Sequence, residues 1–259
     1  MTKDEIKLAY TQAMQWVQEA GDYLRQAMQE GFSVNHKADA HDLVTTLDIE
    51  IEERLSQAIR RHYPEHRICG EESQSSGATQ LSELVGAVWF IDPIDGTINF
   101  VKQQRDFGIM LALYIDGKAQ FGIIYDVMRD DFYHAFCGEG AYLNRRRIAP
   151  PPDARLADSL VILESGAIKR NDPLSRYALE HCLSARVVGS TAILTGIIAG
   201  GRAAAFISVQ QMPWDIAPAI AILGELNIRI TQHDGSPMSL LQGENCLIAQ
   251  EQVHQEMLR

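Results

Sequence analysis

The stretch that most constrains the fold is residues 86–100, GAVWFIDPIDGTINF. An apolar run bounded by turn-forming residues is typical of a buried strand. Here the run ends in Asp92 and Asp95, with Pro93 and Gly96 beside them. Asp-Pro and Asp-Gly pairs are common in turns, so one interpretation is a core strand that ends in a tight loop. The other is a loop that presents two carboxylates to a divalent metal ion.

Composition indicates a folded, acidic protein. The chain has 259 residues, of which 46% are hydrophobic and 22% charged, which excludes disorder as the main state. Its length suffices for one large domain or two small ones. The net charge of -11 argues against nucleic acid and anionic lipid as partners. Three adjacent arginines at 145–147 are interpreted as a solvated strand end.

Cysteine spacing and the N-terminal sequence bear on the expected location. The four cysteines show no CxxC spacing and are expected to be reduced core residues. Residues 1–30 carry charges throughout, and no apolar run is as long as a membrane span. We therefore expect a cytoplasmic protein that has no membrane partner.

Apolar periodicity predicts an α+β first half. One amphipathic helix ends near Gly31, and a second, closed by Pro64, has Asp48 in its first turn. Between them lies an irregular link. An antiparallel sheet with a hairpin at Asp116-Gly117 is expected to pack against both helices. Its strands are predicted at 67–69, 85–91, 108–115, 120–125 and 132–136.

A run of three prolines at 150–152 interrupts the strand pattern. It predicts an N-terminal subdomain of residues 1–149, with most metal ligands, and a C-terminal subdomain of residues 150–259 that completes the site. The second half alternates strands with helices, so the overall class is α/β with an α+β first half. Strands are predicted at 160–163, 186–188 and 203–207, and helices at 173–183, 191–199 and 216–223.

Acidic residues stand at the ends of several predicted elements. Each has a simple structural interpretation as a helix cap, a solvated loop or a turn. Together they are the oxygen donors that Mg²⁺ prefers, and one carboxylate at a strand end could bridge two ions roughly 3.5 to 4 Å apart. The residues are Asp48, Glu71, Glu72, Asp92, Asp95 and Asp215.

The neighbours of Asp95 suit phosphate chemistry. The Ile94 carbonyl comes from the same turn, Gly96 allows close approach to a phosphate, and the Thr97 hydroxyl could orient a water molecule. A second segment, VVGSTAILTG, begins a predicted helix, where N–H groups bind anions or a hydroxyl simply caps the helix.

The haloacid dehalogenase superfamily offers a rival interpretation, because its nucleophile loop is Asp-x-Asp-Gly-Thr. Here the spacing is Asp-x-x-Asp, and the loop lies at residue 92 rather than near the N-terminus. No Gly-Asp pair with a second aspartate follows. The spacing therefore disfavours a covalent aspartyl phosphate.

Several motifs resemble signatures of the inositol monophosphatase family: WFIDPIDGTINF, GEES and WDIAPAIAILGE, with KADAHDLVTTLD upstream. The similarity extends over nearly the whole chain. It implies a layered αβαβα sugar phosphatase fold and Mg²⁺-dependent hydrolysis of a small phosphomonoester, most simply inositol monophosphate, without a covalent intermediate. It also implies lithium inhibition and a homodimer.

The resemblance further implies residue roles. Two Mg²⁺ ions, with a third and weaker one near Glu71, would be held by Glu71, Asp92, the Ile94 carbonyl, Asp95 and Asp215. Thr97, paired with Asp48, would activate a water molecule held by Glu71 and the first ion. The substrate would contact Asp95, Gly96, Thr97, Gly189, Ser190, Thr191 and Asp215.

Departures from the family pattern leave the substrate open. Inositol-specific members place a glutamate seven residues before the position of Asp215, where this chain has Ser208. Residues 226–228 and Pro218 also differ. The alternatives are fructose 1,6-bisphosphate, NADP or adenosine 3′,5′-bisphosphate, or a non-catalytic regulator, which the complete ligand set and the negative charge disfavour.

Overall fold

A computed structural model describes residues 1–36, 43–75 and 83–259. Residues 37–42, the first half of the predicted lysine and aspartate region at 37–48, lie outside the described residues, as do residues 76–82. The helices are α1 Lys3–Glu30, α2 Thr46–His62, α3 Glu71–Ser75, α4 Thr97–Gln103, α5 Ser165–Lys169, α6 Pro173–His181, α7 Thr191–Ala199, α8 Pro213–Gly224 and α9 Glu251–Met257, with a 3₁₀ turn at Leu156–Asp158.

The strands form three sheets. Two short strands pair as β1 Val34–His36 and β2 Leu43–Thr45. The larger sheets contain β3 Arg67–Gly70, β4 Ala87–Asp95, β5 Gly108–Ile115, β6 Lys118–Asp126, β7 Asp131–Phe136, β8 Ala141–Leu143 and β9 Arg146–Arg147, then β10 Leu160–Leu163, β11 Ser184–Arg186, β12 Ala205–Gln211, β13 Arg229–Thr231 and β14 Glu244–Ala249.

The first large sheet has the order β3-β4-β5-β6-β7-β8-β9. Its strands are antiparallel except that β3 runs parallel to β4, so the expectation of a purely antiparallel sheet was wrong at that edge. The hairpin between β5 and β6 turns at Asp116 and Gly117, both at positive φ. Two residues at positive φ match the twist of the flanking strands, as predicted for this Asp-Gly pair.

The second large sheet has the order β11-β10-β12-β14-β13. Strand β10 is parallel to β11 and β12, whereas β14 is antiparallel to β12 and β13. The predicted alternation of strands and helices is therefore confirmed for β10, β11 and β12, which are parallel, whereas β14 is antiparallel to its neighbours. Strand β11 lies at Ser184–Arg186 rather than at 186–188, and β12 continues to Gln211.

Buried side chains arrange these elements in five layers. Helices α1 and α2 pack on one face of the seven-stranded sheet, and α7 and α8 pack on the other. The opposite side of α7 and α8 meets Ile162, Phe206 and Ile248 of the five-stranded sheet. Helices α6 and α9 cover its far face. The order αβαβα confirms the expected layered α/β fold, whereas the subdomain boundary near residue 150 stays a prediction.

Helix α8 lies unusually close to the first sheet. A Cβ built on Gly122 of β6 would lie 2.5 Å from the Pro218 carbonyl oxygen, so only glycine fits there. The Tyr114 hydroxyl of β5 donates to the Ala217 carbonyl at 2.9 Å. These contacts fix the start of α8, which carries Asp215, against the sheet that carries Asp92.

Two further expectations concern cysteines and membrane spans. All four cysteines are free, and two of them, Cys69 and Cys246, are buried. Within the described ranges, no helix combines the length and apolar character needed to cross a membrane.

Candidate active site

A bulge at the end of β4 brings Asp92 and Asp95 to one edge of the sheet. Asp92 pairs with Met110 and Asp95 pairs with Gly108, and the register shifts between them. The predicted turn is thus a bulged strand end, since β4 continues through Asp95. Bulges redirect side chains near functional sites. One carboxylate oxygen each from Asp92, Asp95 and Asp215 lies within 4.8 Å of the others.

Burial and mutual repulsion set the protonation of Asp92. The residue is only 2% exposed. Burial, and then the negative charge of Glu71, raises the pKa of Asp92 well above its usual range, and Asp95 adds to the effect. Its Oδ1 accepts a hydrogen bond from the Ile94 backbone N–H at 3.1 Å, which fixes the carboxylate inside the bulge.

Asp215 and Asp95 also have raised pKa values. Burial and the charges of Asp95 and Glu71 raise the pKa of Asp215 well above its usual range. Burial also raises the pKa of Asp95, although hydrogen bonds from the Ser190 hydroxyl and the Ala192 N–H oppose the shift. A divalent cation between these carboxylates would relieve the repulsion.

Thr97 and Asp48 come together as expected. Thr97 is the first residue of α4, and its hydroxyl lies 3.4 Å from Asp48 Oδ1 and 3.2 Å from the Ile94 carbonyl. Asp48 is fully buried, and its Oδ2 accepts the Thr45 backbone N–H at 2.8 Å in a capping box. The helix start therefore holds one oxygen of Asp48 and leaves the other facing Thr97.

Glu71 begins α3 directly after β3. It is not one of the three residues within 4.8 Å, yet its charge acts on both Asp92 and Asp215. The Glu52 carboxylate of α2 accepts the backbone N–H groups of Glu72 at 2.7 Å and Ser73 at 2.9 Å. Glu52 thus fixes the short helix that positions Glu71.

A cavity of about 270 Å³ beside the carboxylates is lined by five of the seven predicted substrate residues, and Gly96 and Thr97 are not among its lining residues. Ser190 caps α7, accepting the Ile193 N–H at 3.2 Å. Gly96 has a φ of +89°, and a Cβ there would lie 2.8 Å from Ser190 Cβ. Glycine is thus needed where the two segments meet. The cavity is lined by Asp95, Ile98, Leu163, Glu164, Ser165, Gly189, Ser190, Thr191, Leu194, Phe206, Val209, Gln210, Gln211 and Asp215.

Ser208 does not line this cavity. It is fully buried in β12, and its hydroxyl has no hydrogen-bond partner in the structure. The register of β12 against β14 shifts between Ser208 and Gln211, so Val209 and Gln210 reach the cavity instead.

Gln211 belongs to the site although no sequence signal singled it out. Its amide nitrogen donates to Asp215 Oδ2 at 2.8 Å and to Thr191 Oγ1 at 2.9 Å. The Met212 N–H also donates to Asp215 Oδ2, at 3.2 Å. Both donors engage Oδ2, and neither of them holds the other oxygen of Asp215. The role of Gln211 becomes visible only in the folded structure, because a glutamine within a strand gives no signal in the sequence.

Asn99 is a second residue that the sequence did not reveal. Its side-chain amide donates to the Val188 carbonyl and to the Asp106 carbonyl, both at 2.9 Å. It therefore ties α4, which begins at Thr97, to the segment that leads into Gly189. The two walls of the cavity are fixed to each other by this side chain.

An all-carboxylate donor cluster beside a cavity lined by a helix start defines a site for a divalent cation and an anionic ligand. A family model described as the inositol monophosphatase family matches residues 6–259. The chain is 35% identical over 246 residues to the inositol-1-monophosphatase of Bacillus subtilis (strain 168), a match that covers 93% of this chain and 92% of that protein. The chain belongs to the inositol monophosphatase family.

Solved structures agree in fold. Inositol monophosphatase II from Staphylococcus aureus MSSA476 superposes with a TM-score of 0.87 at 33% identity, covering 97% of this chain and 92% of that one. A structure described as IMPase/NADP phosphatase complexed with Mg²⁺ and phosphate gives a TM-score of 0.88 at 27% identity, covering 98% and 95%. SaIMPase-II has been solved with inositol monophosphate and with 2′AMP.

Replacing Gln211 with Leu should weaken activation by Mg²⁺. The substitution removes the amide that orients Asp215 while keeping the side chain close in size. We expect the Mg²⁺ concentration for half-maximal phosphate release to rise by about tenfold or more. Gln57→Leu, on the exposed face of α2, is the matched control. An unchanged Mg²⁺ requirement in the Gln211 variant would contradict the positioning role.

Proposed function

We propose that the protein is an Mg²⁺-dependent phosphoric monoester hydrolase, with inositol monophosphate as its first candidate substrate. The observation that supports the proposal most directly is the convergence of Asp92, Asp95 and Asp215 within 4.8 Å, with Asp95 and Asp215 at the wall of a cavity. Membership of the inositol monophosphatase family supports the same reaction class.

The donor set fits Mg²⁺. Its side-chain atoms are oxygens, and the raised pKa values of Asp92 and Asp215 express the repulsion that a cation removes. Two ions, with a third near Glu71, would be held by Glu71, Asp92, the Ile94 carbonyl, Asp95 and Asp215. When bound, Mg²⁺ supplies Lewis-acid stabilisation of phosphoryl oxygens and lowers the pKa of a coordinated water.

The chain's own groups orient the reactants. The Thr97 hydroxyl donates to Asp48, so its oxygen can accept a hydrogen bond from the attacking water, and Asp48 can take up the proton. The N–H groups of Gly96 and Thr97, at the start of α4, have no acceptor within the helix and can bind the phosphate. We assign Gly189, Ser190 and Thr191 to the leaving-group side of the cavity.

Two alternatives remain within the proposal. Solved relatives include proteins described as IMPase/NADP phosphatases and one with 2′AMP bound, so a nucleotide 2′-phosphate or a bisphosphate stands as the second substrate class. A purely regulatory role is disfavoured because every predicted ligand residue is present. The homodimer, lithium inhibition and a cytoplasmic location belong to the same proposal and rest on the family resemblance.

Replacing Asp92 with Asn should abolish Mg²⁺-dependent phosphate release, with a loss on the order of a hundredfold or more, because the other carboxylates of the site all act on Asp92. Phosphate is measured with inositol 1-phosphate, fructose 1,6-bisphosphate, NADP and adenosine 3′,5′-bisphosphate. Asp158→Asn, an exposed residue paired with Arg155, is the control. Near-normal turnover by the Asp92 variant would contradict the assignment, and a wild-type protein silent on all four substrates would favour the regulator.

The raised carboxyl pKa values make stability depend on pH. A carboxyl whose pKa is higher in the folded chain retains a proton on folding, so the unfolding free energy of the metal-free protein falls as pH rises from about 3.8 through the raised pKa values of Asp92 and Asp215. Mg²⁺ binds the ionised carboxylates and offsets this loss.

Excess Mg²⁺ should therefore raise the melting temperature more at about pH 8 than at about pH 5. The comparison is made by scanning calorimetry with and without Mg²⁺. The Asp92→Asn variant should show a smaller pH dependence of the Mg²⁺ effect. An equal Mg²⁺ effect at the two pH values would contradict ionisation of this cluster on metal binding.

A further inference from the structure

The cavity is also lined by a carboxylate that the proposed mechanism does not use. Glu164 directly follows β10, and its backbone N–H donates to the Ile207 carbonyl of β12 at 3.0 Å. The side chain is half-buried and lines the cavity together with Asp95, Ser190 and Asp215. A carboxylate thus stands beside the place where the leaving group of a phosphomonoester would lie.

The β12 bulge fixes the orientation of this carboxylate. Glu164 Oε2 accepts the Val209 backbone N–H at 2.8 Å. Val209 lies beyond the last paired residues of β10 and β12, Leu163 and Ile207, and within the stretch where the register of β12 against β14 shifts. One oxygen of Glu164 therefore takes the place of a missing strand partner, which holds the side chain at the cavity wall.

The second oxygen of Glu164 is uncommitted in the described part of the chain. No hydrogen bond or ion pair engages Oε1, and a Cβ built on Gly166 would lie 2.4 Å from it. Glycine at 166 therefore leaves the room that this carboxylate occupies. Oε1 can accept hydrogen bonds from a ligand without breaking an internal contact.

The two glutamines that line the cavity, Gln210 and Gln211, are already engaged. Gln211 donates to Asp215 and Thr191, and the Gln210 side-chain oxygen accepts from Arg170 at 3.0 Å. Ser208 is buried behind the bulge. Glu164 thus offers a charged acceptor to hydroxyl groups, beside Ser165, which also lines the cavity.

We propose that Glu164 determines leaving-group specificity by accepting hydrogen bonds from hydroxyls of the substrate. The proposal rests on the proposed phosphatase function and narrows its substrate class to phosphomonoesters of neutral polyols. Hydrogen bonds from hydroxyls to an ionised carboxylate are short and stronger than those between neutral groups. A second phosphate placed at the same wall meets a like charge and is disfavoured.

The rival explanation is purely structural, because the contact with Val209 by itself stabilises the bulge. That bulge also orders Gln210 and Gln211, and through Gln211 it reaches Asp215. A structural role predicts equal losses with every phosphomonoester. A specificity role predicts losses that depend on the hydroxyls and the charge of the leaving group.

The test is steady-state kinetics of the full chain with Mg²⁺ for wild type and Glu164→Gln. Glutamine keeps an oxygen for the Val209 N–H while removing the charge. The substrates are inositol 1-phosphate, NADP and p-nitrophenyl phosphate. The leaving group of p-nitrophenyl phosphate carries no further hydroxyl groups. We expect kcat/KM to fall about tenfold for inositol 1-phosphate relative to p-nitrophenyl phosphate, mostly through KM. The NADP to inositol 1-phosphate ratio should rise.

A second variant and a control variant distinguish a specific effect of Glu164 from misfolding. Gly166→Ala should displace the Glu164 carboxylate and change the same ratios in the same direction, by a smaller factor. Glu180→Gln, on the exposed side of α6, should leave the ratios at their wild-type values. Melting temperatures are compared for all variants.

Each outcome separates the two proposals. Parallel losses on all substrates, or unchanged ratios in both variants, would overturn the specificity role while the phosphatase function stands. A wild type that prefers NADP to inositol 1-phosphate would overturn it as well. A wild type inactive on every substrate would overturn the phosphatase function, and the specificity role with it.

Discussion

Repulsion between buried carboxylates is the constraint on which the rest of the structure depends. Asp92, Asp95 and Asp215 converge within 4.8 Å in a site largely shielded from water, and Glu71 and Asp48 add to the negative field. Without a cation, such a cluster keeps protons that carboxylates ordinarily lose, which opposes the folded state as pH rises. The fold must hold these groups together against that force. Divalent cations that bind between these carboxylates would relieve the repulsion.

Individual hydrogen bonds hold the carboxylates of the site in place. Thr45 fixes Asp48, Glu52 fixes the helix that begins at Glu71, and Gln211 fixes Asp215. In each case one side of a carboxylate or helix start is fixed by a hydrogen bond, and Asp215 also lines the cavity. The close packing of α8 against β6, which requires glycine at 122, brings the two halves of the ligand set within reach of each other.

Local sequence patterns predicted much of this arrangement. The hairpin at 116–117 and helix α7 at Thr191–Ala199 follow from turn chemistry and periodicity. The family resemblance predicted the five layers, and the structure brings Thr97 to Asp48 as the pattern implied. These features depend on residues that are close in sequence or that belong to long, specific motifs.

Features that depend on register between distant strands could not be predicted. The bulges in β4 and β12 exist only once neighbouring strands are paired, and they decide that Val209, not Ser208, reaches the cavity. Glu164, Gln211 and Glu52 look like ordinary polar residues in sequence. Their roles come from partners that lie 45, 20 and 20 residues away in sequence, namely Val209, Thr191 and Glu72.

The most direct test of the central claim is a crystal structure grown with Mn²⁺ and phosphate, with an anomalous difference map collected at the manganese edge. We expect at least one manganese ion within coordination distance of Asp92, with Asp95 or Asp215 as a further ligand of the same ion. Phosphate should be bound beside Gly96 and Thr97. Manganese peaks elsewhere, with the carboxylates of Asp92, Asp95 and Asp215 free of metal, would contradict the central claim.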